Sequence, residues 1–308
     1  LTMPSEDRSG NVRGGKSPAD GDLPECGSAG PMAGMIDVTK RYIALIGGIA
    51  ACMLLMMGAA GGLVSLQGLP GPTIGLSISP FSAAIGVMVA LVLAFGVSLI
   101  VGRVVNAAVA AFVLGTGIAV LSMQSGTHAD AVFAGANETM IGIETLIWGG
   151  VVLLLAMGLM RWTGPLPDQP WNKASDAFDL RKVFSTDALR SSAAGFVMLL
   201  AVWLLLTNDL KGQAIFATTV GGLFTGLLGR IFAPRVQPVL LFASPVIIGG
   251  LGQLQASMAG GDGIAAFVTG TSPHLGMPMP MDFVAGSLMG VAMGLGWSRS
   301  FVEEHGND

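Results

Sequence analysis

The sequence predicts an all-α, polytopic integral membrane protein with about eight transmembrane helices. Of its 308 residues 52% are hydrophobic and only 11% are charged, and the mean hydropathy is +0.71. A soluble domain carries about 25% charged residues. Apolar runs near the ~20 residues needed to span a bilayer recur along the chain. These observations exclude a soluble globular enzyme.

Eight apolar runs are long enough to count as spans. They cover 42–66, 80–102, 104–122, 140–160, 192–207, 212–229, 236–258 and 282–298. The fifth and eighth runs are short, and little more than Arg103 separates the second from the third. A count of six or seven helices is therefore an open alternative.

The polar regions divide the chain into five parts. Residues 1–38 are rich in Gly, Ser, Pro and Asp. They are expected to form a disordered cytoplasmic tail, because their few apolar residues cannot offset the entropy of ordering. Two transmembrane halves of four helices each follow, at 39–162 and 192–300. A cytoplasmic linker, 163–191, joins the halves, and a short cytoplasmic tail covers 301–308.

The basic residues predict which ends of the helices are cytoplasmic. With the N-terminus inside and eight spans, 14 of the 15 lysines and arginines fall on the cytoplasmic side, and only Lys211 lies outside. This distribution satisfies the positive-inside rule. The outer segments carry mainly acidic residues, so the outer face is predicted to be net negative. The expected location is the cell (plasma or inner) membrane, with both termini in the cytoplasm.

Small residues at every fourth position suggest that the two halves are parallel four-helix repeats. At an offset of 127 residues, the second and sixth segments align their small-residue ridges and the arginine that ends each ridge. The aligned residues are Ala90, Ala94, Ser98, Gly102 and Arg103 with Ala217, Gly221, Thr225, Gly229 and Arg230. Parallel repeats are one way in which transporters are built, with the substrate path between the halves.

The eighth segment has the same spacing at Gly286, Gly290, Gly294 and Ser298. Residues four apart form one ridge on a helix, and a ridge of small residues lets a neighbouring helix approach closely. Packing within a compact bundle is one interpretation of this ridge. A contact between subunits, or a sliding surface for a moving half, is the other.

Polar side chains at membrane depth are costly, so each is a candidate for function. Glu144 lies about six residues inside the outer end of the fourth segment, on a polar stripe that faces away from lipid. It is either a proton- or cation-binding group or a carboxylate that reaches water at the helix end. Amides on the third and seventh segments add to the set. The predicted transport-path candidates are Asn106, Gln124, Asn137, Glu138, Glu144, Gln253 and Gln255.

No cofactor and no metal site are predicted. The residues nearest to a metal-binding pattern are His128, Asp130 and His274, because the two histidines fall in equivalent outer loops. The alternative is that all three are solvated loop residues. With only Cys26 and Cys52, neither a disulfide framework nor a cysteine-based zinc site can be built.

The missing motifs argue against an enzyme. The sequence has no G-x-S-x-G turn, no H-E-x-x-H pair and no P-loop lysine, and no basic patch that would bind nucleic acid. The leading hypothesis is a permease-like protein that moves a small solute or cation across the membrane. The alternative is a non-catalytic scaffold or accessory subunit of a membrane complex. The expected partners are the lipid bilayer and either further copies of the chain or the other subunits of such a complex.

Overall fold

The computed structural model describes residues 31–164, 166, 183–234, 236–258 and 263–304. The chain divides into two compact units, 1–38 and 39–308, and the contacts reported below lie within the second. Regular structure in the described residues is helical, apart from two isolated β-bridges in the loop 61–79. The all-α prediction is confirmed.

The described residues form the following α-helices: α1 (Pro31–Ala60), α2 (Pro80–Val104), α3 (Ala107–Gln124), α4 (His128–Phe133), α5 (Glu138–Thr163), α6 (Thr186–Ser192), α7 (Val197–Leu205), α8 (Lys211–Phe232), α9 (Val239–Met258), α10 (Gly263–Val268) and α11 (Pro280–Glu304). A 3-10 helix, Ala193–Phe196, joins α6 to α7, so that these three elements make one span of 20 residues.

Among the described residues, seven helices are long and apolar enough to cross a membrane. They are Val38–Ala60 within α1, then α2, α3, α5, the joined span Thr186–Leu205, α8 and α9. By the length and composition of these helices, the chain is a multi-pass membrane protein. The eighth apolar run forms α11, which is long but is not among the seven. The count of eight spans therefore stays a prediction.

Four helices pack around α11. Its most extensive contacts are with α8 and α3, and it also touches α5 and α9. From Met281 to Leu295 every residue is buried except Met289 and Met293, which are half-buried. A helix enclosed by protein needs no apolar surface for lipid. This explains why α11 tolerates Asp282 and a ridge of glycines.

The contact between α8 and α11 is close enough to exclude side chains. A methyl group added at Gly222 would lie 2.6 Å from the carbonyl oxygen of Gly286, and one added at Gly226 would lie 2.6 Å from that of Val291. The ridge that begins at Gly286 is therefore filled by α8 of the same chain. Packing within the bundle is the correct interpretation of this ridge, and the subunit contact is wrong because the surface is already covered.

The first span is peripheral. In the part of α1 from Val38 onward, only Gly48, Cys52 and Met56 are buried, and they lie four residues apart on one face. The ridge of α2 is buried from Ala90 to Gly102, whereas Gly86, one turn earlier, is exposed. Both helices thus present most of their surface outward, as spans at the edge of a bundle do.

Both ends of α1 differ from the sequence prediction. The helix begins at Pro31, inside the predicted tail 1–38, because a proline suits the first turn of a helix and Met and Ala residues follow it. It ends at Ala60 and not at 66, because Gly61 and Gly62 form a turn. Residues 1–30 of the predicted tail lie outside the described residues.

The fifth span also begins earlier than predicted. Ser185 caps α6, since its side chain accepts the backbone N–H of Ala188 at 3.2 Å. The fifth span therefore starts inside the predicted linker 163–191, of which 165 and 167–182 lie outside the described residues. At the other end α11 runs to Glu304, into the predicted tail 301–308.

Candidate functional site

The polar side chains of the spans gather at one end of the bundle, where α5, α8 and α11 begin and α3 and α9 finish. We call this the Asp282 end. We call the opposite end, where α2 finishes and α3 begins, the Arg103 end.

Asp282 and Lys211 form a buried ion pair at the Asp282 end. Lys211 Nζ lies 3.1 Å from Asp282 Oδ1 and 3.3 Å from Oδ2, and the two side chains are 10% and 1% exposed. The hydroxyl of Ser122 on α3 donates a hydrogen bond to the same carboxylate. The pair therefore joins α3 to α8 and α11, three helices that meet at the centre of the bundle.

The first turn of α11 positions the aspartate. Pro280 begins the helix, and the backbone N–H of Met279, just before it, donates to Asp282 Oδ2 at 2.7 Å. An acidic residue in the first turn also interacts favourably with the helix dipole. On α8 the hydroxyl of Thr218 donates to the carbonyl oxygen of Asp282 at 2.9 Å, which ties the two helices together at this turn.

Sequence reasoning missed this pair because it placed Lys211 and Asp282 among the charges of the outer surface. Two signals pointed to it. Lys211 is the one base on a side that otherwise carries acids, and Asp282 follows Pro280 at the start of a helix made largely of small apolar residues. A single base at the start of one helix and an acid at the start of another can form an ion pair when the two helices are rich in small residues and pack closely together.

Glu144 holds the loop 61–79 against α5. Its Oε1 accepts the backbone N–H of Ile74 at 3.0 Å, and its Oε2 accepts that of Gly75 at 3.2 Å. The side chains of Thr73 and Trp148 lie close to the same carboxylate. The carboxylate is half-buried. Its depth in α5 agrees with the sequence, but its partners are mainly backbone groups of a loop.

A groove with a volume of about 590 Å³ runs beside Glu144, between α2 and α5. The loop residues 73–76 close the groove at the Asp282 end of the bundle. Most of its walls are apolar, and Glu144 is the one charged residue among those that line it. The apolar residues that form most of its length are Ala84, Met88, Ile143, Ile147, Trp148 and Val151.

Gln253 is buried and bridges three segments. The hydroxyl of Thr145 on α5 donates to its Oε1, and its Nε2 donates to the carbonyl oxygen of Pro278 at 2.5 Å. Gln255 is exposed on another face of α9. The two amides predicted together on the seventh span therefore do not converge.

Two of the predicted path residues cap helices. Asn106 directly precedes α3, and its side chain accepts the backbone N–H of Val109 at 2.8 Å. Asn137 directly precedes α5, and its side chain accepts the backbone N–H of Thr139 at 3.0 Å. Such caps satisfy backbone donors that have no partner inside the helix.

The remaining candidates lie apart from one another. Gln124 is the half-buried last residue of α3, at the opposite end of that helix from Asn106. Glu138 begins α5 and lies beside Gly263, away from Glu144 and its loop. Of the seven predicted path residues, Asn106 lies at the Arg103 end and the other six lie toward the Asp282 end. The structure brings Asn137 and Glu144 to one groove, but it does not bring all seven into one chamber.

His128 is 3% exposed, and its Nδ1 has no hydrogen-bond partner in the part of the chain that the structure describes. Its ring packs 6.0 Å from that of Phe267 on α10. Burial lowers the pKa of this histidine below its ordinary value, although the charges of Glu138 and Asp209 act in the opposite direction. The neutral ring is therefore the form that the fold favours.

The other two metal candidates have separate roles. Asp130 forms a capping box with Thr127 at the start of α4. His274 Nδ1 lies 3.3 Å from the carbonyl oxygen of Trp203. Within the described ranges, no group of three or more His, Cys, Asp or Glu side chains is placed to hold a metal ion.

Comparison with protein-family models, with curated proteins and with solved structures finds no match to this chain. By the length and composition of its helices, the chain is a multi-pass membrane protein.

Proposed function

We propose that the protein is a permease-like membrane protein that moves a small solute or cation. It would have eight spanning helices, α11 included, in two parallel four-helix repeats. The buried Lys211–Asp282 pair carries the proposal. Ionisable groups among membrane helices are costly and typically mark substrate or ion pathways. This pair lies where the first half, through α3, meets the second half, through α8 and α11.

The packing between the halves supports the repeats. Helix α3, the third span of the first half, packs against α11, the fourth helix of the second half. Helix α9, the third span of the second half, packs in turn against α5, the fourth span of the first. This exchange of partners is what a two-fold relation between parallel repeats produces.

Matching glycines in α3 and α9 make equivalent contacts. In each helix one glycine faces the fourth helix of the other half, and a second glycine two residues later faces the first helix of its own half. The pairs are Gly115 with Leu288, Gly250 with Leu146, Gly117 with Cys52, and Gly252 with Leu199. The offset is 135 residues in both cases, from 115 to 250 and from 117 to 252.

The short helices α4 and α10 follow the same pattern. Each comes directly after the third span of its half, and the first residues, His128 and Gly263, are again 135 positions apart. The two helices touch through Phe133 and Phe267, whose rings meet edge to face at 5.7 Å. A contact between equivalent elements is expected at a pseudo-two-fold axis.

In the proposed mechanism the Asp282 end faces outward in the cell membrane, and both termini are cytoplasmic. This orientation keeps Arg103 and Arg161 on the cytoplasmic side, as the positive-inside rule requires. A cation that arrives from outside competes with Lys211 for the carboxylate of Asp282. Loss of the ion pair then loosens α3 from α8 and α11 and opens the boundary between the halves.

A scaffold or accessory subunit is the second candidate. The polar groups of Asn106, Asn137, Gln253 and Glu144 are bound to other groups of the same chain. Polar side chains that cap helices or hold loops in place are already bound within the chain. This favours a protein whose main role is to pack against others.

Uptake into proteoliposomes tests the permease. We expect faster uptake of at least one member of a panel of ions and small metabolites than in protein-free vesicles. The double variant Lys211→Met with Asp282→Asn removes both charges together, and we expect it to fold but to lose this uptake. Asp209→Asn, which removes an acid from the neighbouring loop, is the matched control and keeps it.

Uptake no faster than in protein-free vesicles for the whole panel overturns the permease. Undiminished uptake in the double variant overturns the role of the Lys211–Asp282 pair in transport. In the first case, recovery of a partner at fixed stoichiometry in mild detergent would favour the scaffold.

A further inference from the structure

We propose that the groove between α2 and α5 binds a membrane lipid with an ammonium headgroup, with the acyl chain along α5 and the headgroup at Glu144. The groove is separate from the Lys211–Asp282 pair. The proposal does not depend on whether the protein transports anything.

The groove opens toward lipid. Its walls belong to two helices of spanning length and composition. At its rim Met88 and Ile143 are each 42% exposed, and Ile147 is 63% exposed. Exposed apolar side chains within spanning helices face the hydrocarbon of the bilayer. In a membrane, acyl chains therefore border the opening.

The groove is long enough for the headgroup and the first part of an acyl chain. From Asn137 to Val151 it follows α5 over about 20 Å, at about 1.5 Å per residue. Glu144 lies at the midpoint, so about 10 Å between Glu144 and Val151 is left for the acyl chain. Half of a bilayer's hydrocarbon core is about 15 Å thick, so the rest of the chain lies among the lipids that border the groove.

An empty groove is unfavourable here. Atoms that line a void lose their dispersion contacts on one side, and Trp148 at the inner wall is only 4% exposed. Water gains little from entering, because few polar atoms line the depth of the groove. An acyl chain restores the missing contacts without leaving its own leaflet.

The polar end of the groove selects the headgroup. Asn137 at the start of α5 and Glu144 six residues into that helix line the polar half of the groove, together with Thr73 from the loop. The groups that hydrogen-bond to Glu144 are neutral, and none of the described lining residues is basic. The local field is therefore negative, so it attracts an ammonium group and repels an anionic headgroup.

Native mass spectrometry of the full-length protein in detergent tests the proposal. The probe is an equimolar mixture of phosphatidylethanolamine and phosphatidylglycerol. We expect the wild type to retain phosphatidylethanolamine in preference to phosphatidylglycerol. Ile147→Trp fills the groove, and we expect it to lose the retained lipid.

Leu154→Trp is the matched control. Leu154 lies two turns further along the same helix with a similar exposure, 65% against 63% for Ile147, but outside the groove. We expect this variant to retain lipid as the wild type does. Equal retention by both tryptophan variants overturns the acyl-chain site, as does a wild type that retains no lipid. Equal retention of the two headgroups overturns the role of Glu144.

A second measurement concerns Glu144 itself. Glu144→Gln removes the charge and keeps the size of the side chain. We expect this variant to lose the preference for phosphatidylethanolamine and still retain lipid. If the variant does not fold, the comparison of Ile147→Trp with Leu154→Trp still decides the site, and the wild-type headgroup preference still decides the chemistry.

Discussion

Lys211 Nζ and Asp282 Oδ1 lie 3.1 Å apart inside the bundle, at the point where α8 and α11 begin. Each charge has left water, and each depends on the other to offset the cost of doing so. The pair lies beside the close contact between α8 and α11, in which glycines of the two helices face each other. Electrostatic and steric constraints therefore act on the same two helices.

The ion pair should be costly to break from one side. Asp282→Asn leaves the ammonium group of Lys211 buried without its carboxylate, and we expect the free energy of unfolding to fall by about 3–5 kcal/mol. Lys211→Met with Asp282→Asn removes both charges and should recover much of that loss. Unfolding in detergent, followed by circular dichroism, measures both. Equal losses in the single and double variants would show that the charges do not depend on each other.

The glycine contact should tolerate no methyl group. In Gly290→Ala the new Cβ would lie 2.6 Å from the backbone nitrogen of Leu223, and overpacking of this kind costs about 1–3 kcal/mol. The control is Gly86→Ala, because nothing lies within 4 Å of a methyl group at Gly86. In a helix interior that change is neutral or stabilising. Melting temperatures in detergent test the pair, and a similar shift in both variants would contradict the close packing.

Glu144 should control the order of the loop 61–79. Glu144→Ala leaves the N–H groups of Ile74 and Gly75 without their acceptor. The loss costs up to about 1–3 kcal/mol for the part-buried N–H of Ile74, and less for that of Gly75, which is exposed to water. We expect faster hydrogen exchange throughout this loop. Glu138→Ala is the control, since Glu138 lies beside Gly263 instead. Unchanged exchange in the Glu144 variant would remove the carboxylate as the loop's anchor.

Acid should destabilise the protein through His128. The pKa of His128 is lowered in the folded state, so below the unfolded-state value of about 6.5 the unfolded chain binds more protons than the folded one. Stability is therefore lost as the pH falls from about 6.5 through the folded-state pKa. His128→Leu should show a smaller drop in melting temperature between pH 7.5 and pH 5.5. An equal drop in both proteins would assign the effect to other groups.

The spans were predictable because their apolar runs are local. The second run, 80–102, became α2 (Pro80–Val104), and the eighth, 282–298, lies within α11. The sequence did not reveal that α11 is central, because enclosure by protein and immersion in lipid both favour apolar residues. The small residues of α11 are the feature of the sequence that distinguishes a helix enclosed by protein from one immersed in lipid.

The candidate sites were predictable only in part. The depth of Glu144 in its helix follows from counting residues, but its partners at Ile74 and Gly75 come from a loop some 70 positions away. No local pattern records such a contact. The capping roles of Asn106 and Asn137 were readable, because an asparagine just before an apolar run is a helix-start signal. The predicted position of both residues within the membrane favoured a role in a transport path instead.

The burial of α11 has a consequence for how the protein is made. Synthesis proceeds from the N-terminus, so α11 emerges after the helices that surround it. Until then the glycine face of α8 is open, and the lysine at its start has no counter-ion. A nascent chain stalled or cut before Pro280 would lack the helix at the centre of the bundle. The quality-control machinery of the membrane could recognise the exposed glycine face of α8 and the unpaired lysine, and insertion of α11 would cover both.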